Sequence, residues 1–231
     1  MVMEVDMCGR FTLSVDLESL RSAFPWLSIP TAPLPRFNIA PTQPVAVVPN
    51  NGKKELDFFV WGLIPSWAKD PKIGSRMINA RAETLTEKPS FRAAYKRRRC
   101  LILADGFYEW SKDRLPDGRD VKTPIYVRLE LGEPFAFAGL WEFWQSPHGD
   151  EVYSCTIITM KPNDLLKPIH DRMPLILAPD LYDRWLDQEE KPSEELDDYL
   201  IPYPAEEMMA YPVSTLVNSP ANDLPECVVP V

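Results

Sequence analysis

Twenty-five prolines are spread along 231 residues, against only nine glycines, and they set the length of every regular element this chain can form. A proline has no amide hydrogen to give to a helix interior or a central strand, so elements must stay short or end where one occurs. Short strands joined by rigid turns are favoured. Stretches rich in β-branched and aromatic residues at 45–48, 57–61, 100–104, 125–129, 135–138, 153–158 and 175–177 read as strands. Helical patterns fit residues 16–24, 90–97, 163–166 and 179–186, where Leu181, Trp185 and Leu186 share a face. The run from Lys112 to Lys122, which carries Asp117-Gly118, reads as an exposed hairpin tip. These elements make an α+β domain rich in strands.

With 45% hydrophobic residues the chain can bury one sizeable core, which suggests one domain. No apolar run comes near the roughly 20 residues that span a bilayer, and residues 1–6 lack the basic start and apolar stretch of a signal peptide. A cytoplasmic protein with no membrane partner is expected. Cys8, Cys100, Cys155 and Cys227 lie far apart, with neither a CxxC pair nor a histidine at ligand spacing, so no metal site, cofactor or disulfide framework is indicated. Cys100 and Cys155 sit in apolar strand-like segments, where a thiol is normally buried and inert.

The formal net charge of -9 argues at first against a nucleic-acid partner. Residues 180–207, however, hold eleven acids and two bases and so carry the whole excess. This acidic segment reads as a surface helix or loop. In the neutral remainder Arg76, Arg81, Arg92, Lys96, Arg97, Arg98 and Arg99 fall within 24 positions, which allows a local basic face.

Six segments place unusual polar residues along the chain: Met7-Cys-Gly-Arg-Phe11, Arg36-Phe-Asn-Ile-Ala-Pro-Thr42, Trp61-Gly-Leu-Ile-Pro-Ser-Trp67, Asn79-Ala-Arg-Ala-Glu83, Asp105-Gly-Phe-Tyr-Glu-Trp110 and His170-Asp-Arg-Met-Pro174. In this order they resemble the SRAP family (SOS response-associated peptidase), whose members shield abasic sites in single-stranded DNA. The resemblance runs from Met7 to about Asn218. It implies a curved, barrel-like antiparallel sheet core with a few short helices, and a monomer bound to single-stranded DNA at the nucleoid as part of the DNA-damage (SOS) response.

The resemblance also implies that Cys8 becomes the N-terminal residue. A terminal cysteine offers two nucleophiles to one aldehyde: an α-amine with a pKa of roughly 7.7 to 8.0, which forms a Schiff base, and a thiol, which closes a thiazolidine ring. Glu109 lies between Tyr108 and Trp110, and period-two alternation puts it on the face of Phe107. Apolar neighbours favour a neutral carboxyl, which suits a general acid or base. Asn79 and Arg81 share a face if their segment is extended. By resemblance Asn79 positions Cys8 or the sugar, Arg81 contacts phosphate, and His170 moves a proton on the sugar hydroxyl during ring opening. Taken alone, each of these residues would as readily complete local structure. Trp67, and less readily Trp61, suits base stacking. Asn38 and Pro41 should line the cysteine pocket on the DNA side, and Arg10 and Arg92 are expected phosphate contacts.

Six residues precede Met7-Cys8 in this chain. Residues 1–7 are therefore expected to be a leader or a misassigned start that is absent from the mature domain 8–231. Either Met7 is the start and an aminopeptidase removes it, or the site cleaves its own leader as a thiol autopeptidase with lyase-like chemistry elsewhere. A peptidase acting on other proteins, and a non-catalytic module for single-stranded or modified-base DNA, are the competing readings.

Overall fold

The computed structural model describes residues 9–114, 120–146 and 148–231. Among these residues the chain forms β1 (Phe11–Leu13), α1 (Leu17–Ala23), β2 (Arg36–Ile39), β3 (Pro44–Pro49), β4 (Asp57–Trp61), β5 (Asn79–Arg81), α2 (Arg92–Arg97), β6 (Arg99–Ala104), β7 (Gly106–Arg114) and β8 (Asp120–Leu129). It continues through β9 (Phe135–Gln145), β10 (Glu151–Met160), β11 (Met173–Pro174), β12 (Ile176–Leu177), α3 (Tyr182–Trp185), α4 (Ser193–Asp197) and β13 (Met208–Pro212). None of the described helices is long and apolar enough to cross a membrane.

Five strands close into a barrel. β4, β3, β6 and β9 pair antiparallel in that order, and β10 joins β9 antiparallel and β4 in parallel. The expected barrel-like core is present, with one parallel seam at Ser154↔Val60 and Cys155↔Trp61. Closure removes the unpaired edges that would otherwise template association. β6 is buried along its full length, which explains why its sequence is a continuous apolar run and not an alternating one. Cys100 and Cys155 are fully buried, and burial pushes both thiols well above their ordinary range, as expected for inert groups.

A second sheet runs β13-β8-β7-β1-β2. β7 and β8 form the expected hairpin, whose ladder extends out to Arg114↔Asp120. Its tip, with Asp117-Gly118, lies outside the described residues. The two sheets meet through Phe11, whose ring stands edge-on to Trp61 at 5.0 Å and to Phe137 at 5.7 Å between centroids.

α1 starts where Asp16 caps it by accepting from the Ser19 amide at 2.8 Å. Residues 179–186 divide into a 3-10 turn, Pro179–Leu181, followed by α3. No helix forms at 163–166. Pro162 and Pro168 bracket too few residues, and Asn163 instead closes a single turn by accepting from the Leu166 amide at 3.1 Å.

The basic run is only partly a surface. Arg99 is fully buried and donates to the carbonyls of Lys96 (2.6 Å), Asp187 (2.6 Å) and Trp185 (3.0 Å), so it ties together the ends of α2 and α3. Burial lowers its pKa. Arg98 pairs with the buried Glu142 at 2.8 Å and Arg97 with Glu190 at 2.9 Å. Of the seven bases, Arg76, Arg81 and Arg92 are exposed and have no ion-pair partner among the described residues.

Candidate functional site

β10 is the platform of the site. β5 pairs with it in parallel through Asn79↔Ile157, Ala80↔Ile158 and Arg81↔Thr159. β11 pairs on its far end through Thr159↔Pro174 and Met160↔Met173. Asn79-Ala-Arg-Ala-Glu83 and His170-Asp-Arg-Met-Pro174, 91 positions apart from first residue to first residue, thus converge on Thr159. The extended segment behaves as alternation requires: Ala80 is buried, and its neighbours Asn79 and Arg81 point to the other side, half-buried and exposed respectively.

The two motifs are joined by an ion pair. Arg172 Nη1 and Nη2 reach Glu83 Oε1 and Oε2 at 2.5 and 2.8 Å, a bidentate fork, and Nη2 also donates to the Thr159 carbonyl at 2.8 Å. The guanidinium holds the Glu83 carboxyl below its usual range. His170 ends the turn that follows Leu166, and its Nδ1 accepts from the Arg172 amide at 3.1 Å. The Asp171 carboxylate stands 3.1 Å from the same nitrogen.

Glu109 occupies the second sheet, opposite Ile125, with only 2% of its surface exposed. On the other side of β7, Phe107 faces Phe11 and the Tyr108 amide donates to the Arg10 carbonyl at 3.0 Å. The chain therefore runs antiparallel to β7, and the buried Gly9 leads it along the strand in the direction of Glu109. Cys8 lies outside the described residues. Trp61 couples this sheet to β5, because its ring packs on Phe11 and its Nε1 donates to the Ile78 carbonyl, one residue before Asn79, at 2.9 Å.

Trp61, Arg10 and Asn38 are each engaged within the fold. Trp61 is fully buried and packs in the core, so it offers no surface for stacking. Arg10 is a structural anchor: Nη1 donates to Asn38 Oδ1 at 2.9 Å and to the Val217 carbonyl at 2.8 Å, and burial lowers its pKa. Asn38 is fully buried, and its Nδ2 donates to the carbonyls of Val217, Ser219 and Asn222 at 2.8 to 3.1 Å. Both side chains fasten the C-terminal segment across β1 and β2. Pro41 is half-buried at the turn after β2.

Trp67 is 59% exposed in the loop that follows β4. That loop depends on Gly62, whose φ of +133° suits glycine and where a Cβ would come within 2.6 Å of the Gly74 carbonyl oxygen. Arg81 and Arg92 are exposed. Sequence reasoning assigned no role to Glu83, Arg172 or Asn218. The last accepts at Oδ1 from Trp110 Nε1 at 2.8 Å, next to Glu109. Glu83 and Arg172 lay inside quoted motifs, but only the pairing of β5 and β11 with one strand reveals that they meet. Among the described residues no three His, Cys, Asp or Glu side chains are grouped to hold a metal.

A buried carboxyl, an amide, an imidazole and exposed arginines carried by two sheets that meet at Trp61 can move protons and hold a phosphodiester chain. YoqW of Bacillus subtilis (strain 168), an abasic site processing protein, is 47% identical over 227 residues, covering 96% of this chain and 99% of that one. HMCES of Xenopus tropicalis, also named an abasic site processing protein, is 36% identical over 200 residues, 79% of this chain and 59% of that one. A crystal structure of a Bacteroides thetaiotaomicron protein superposes with a TM-score of 0.84 at 26% identity, covering 97% of this chain and 100% of that one. The family model described as SOS response associated peptidase (SRAP) matches residues 7–220, and the chain belongs to that family.

Proposed function

We propose that the protein captures abasic sites in single-stranded DNA by a covalent bond to Cys8, acting as the mature N-terminal residue. The α-amine attacks C1′ of the ring-opened sugar, and the carbinolamine loses one water to give an imine. The thiol then adds across the C=N bond: sulfur bonds to C1′ and its proton goes to nitrogen. No oxidant is needed, and the net loss is one water.

Glu109 relays protons between amine, carbinolamine and imine, and its burial keeps bulk water from competing. His170 moves the proton that opens the sugar ring, and Asn79 orients the reacting groups. Arg81 and Arg92 contact phosphates, while Trp67 stacks on a base beside the lesion. The observation that carries this reading is the β1–β7 register, which leads the chain at Gly9 toward the buried Glu109. Residue 8 is one covalent bond further on.

The test is a denaturing gel of the processed protein with single-stranded DNA that carries one abasic site. A shifted band is expected, lost in Cys8→Ala and formed about 100-fold more slowly in Glu109→Gln. An unshifted band with the wild-type protein overturns the proposal, and reversible binding alone would favour a non-catalytic DNA-binding module.

Residues 1–7 must leave before the amine is free, and the family's description as a peptidase favours a second activity, self-cleavage at Met7-Cys8. Mass spectrometry of the expressed protein distinguishes the sources. Loss of residues 1–7 only when Cys8 is intact means autoprocessing. Loss in Cys8→Ala as well means a host enzyme.

A further inference from the structure

We infer that Glu83 and Arg172 are positioning residues that hold His170 in the tautomer with its proton on Nε2. This rests on the proton-transfer role proposed above for His170. An amide nitrogen can only donate, so the 3.1 Å contact from the Arg172 N–H requires a bare Nδ1. A neutral ring then carries its proton on Nε2, the one nitrogen left to donate to a substrate.

What fixes that amide is the side chain of its own residue. The Arg172 side chain is 12% exposed, and its guanidinium makes three bonds: two to Glu83, at 2.5 and 2.8 Å, and one to the carbonyl of the buried Thr159, at 2.8 Å. Two residues further on, Pro174 is paired with Thr159 in the β10–β11 ladder. The segment 172–174 is thus anchored at both ends to one strand, and the amide that faces the imidazole has little freedom to turn.

Asp171 pulls the other way. Its Oδ1 is 3.1 Å from Nδ1 and would favour a proton there, but its side chain is 89% exposed, so solvent screens the attraction. Nδ1 therefore has two rival partners, an anchored N–H and an exposed carboxylate, and the Glu83–Arg172 fork decides between them. Without the fork the amide can swing away, and the proton distributes to Nδ1 beside Asp171.

The measurement is 15N NMR of histidine-labelled protein at a pH where the ring is neutral. The chain has only two histidines, so His148→Gln, in an exposed loop, leaves His170 as the sole signal. Wild type should give one protonated nitrogen at Nε2 and one bare nitrogen at Nδ1. Glu83→Gln and Arg172→Lys should both give a mixture of tautomers. Glu83→Gln should also slow covalent capture about tenfold while leaving unchanged the reversible affinity for single-stranded DNA, measured in a Cys8→Ala background. A proton on Nδ1 in the wild type, or an unchanged Nε2 tautomer in both variants, overturns the inference. If the tautomers shift but capture keeps its rate, the positioning role is overturned. If wild type captures nothing at all, it is the reading of the preceding subsection that fails, and the tautomer spectra still decide whether the fork sets the ring.

Discussion

Glu109 and Trp67 mark the two extremes of exposure among the residues proposed for the site. A carboxyl 2% exposed exchanges protons with whatever is held against it and with little else. An indole 59% exposed in the loop that follows β4 packs on no other aromatic ring among the described residues. A base that loses its partner in a single strand can stack there, a contact worth about 1 to 3 kcal/mol. Trp67→Ala should therefore weaken reversible binding of single-stranded DNA by about tenfold or more, and fluorescence anisotropy would measure it. An affinity equal to that of wild type would remove Trp67 from the interface. Trp61, six residues earlier and identical in type, has the opposite fate because the chain stays buried from Trp61 through Pro65 and comes to the surface only at Ser66. Composition alone gives no sign of that difference.

At the scale of elements, Arg99 and the Glu83–Arg172 fork show what arginine does in this fold. Replacing Arg99 by Met takes the side-chain donor from the buried Trp185 carbonyl, at about 1 to 3 kcal/mol, while the carbonyls of Lys96 and Asp187 keep the Lys191 amide and Asn50 Nδ2 as donors. Urea unfolding should show a loss of about 1 to 3 kcal/mol, whereas Arg97→Ala, at a surface pair, should cost less than about 1 kcal/mol. The Glu83 carboxyl has a folded pKa below its unfolded value of about 4.3. Its contribution is thus complete above that value and is lost as pH falls through the lowered folded pKa. Thermal midpoints measured on acidification should fall less steeply in Glu83→Gln than in wild type.

Local patterns located β4 to the residue, the capped α1, and the apolar spans of β3, β6, β9 and β10, because each carries its own propensity or cap. β1, β2 and β13 were not legible as strands. They are three to five residues long, and they are extended because a neighbour supplies the ladder, an effect no local pattern holds. The barrel's parallel seam and the meeting of Glu83 with Arg172 are non-local in the same way. The internal partners of Arg10 and Asn38, the carbonyls at 217–222, lie about 180 to 210 positions away and appear only once the C-terminal segment folds back.

For the whole molecule, the excess negative charge resides in residues 180–207, which contribute α3, α4 and the turns around them. The exposed arginines Arg76, Arg81 and Arg92 come from a different stretch of the chain. With about three phosphate contacts, the logarithm of the affinity for single-stranded DNA should fall with the logarithm of salt concentration at a slope of about -2. A slope near zero would rule out these arginines as the phosphate-binding groups. The central claim concerns the bond that Cys8 makes, and the intact mass of the adduct formed with an abasic oligonucleotide tests it most directly. The account predicts the mass of the chain beginning at Cys8 plus that of the oligonucleotide, less one water. An adduct that retains residues 1–7, or the absence of any adduct, would contradict it.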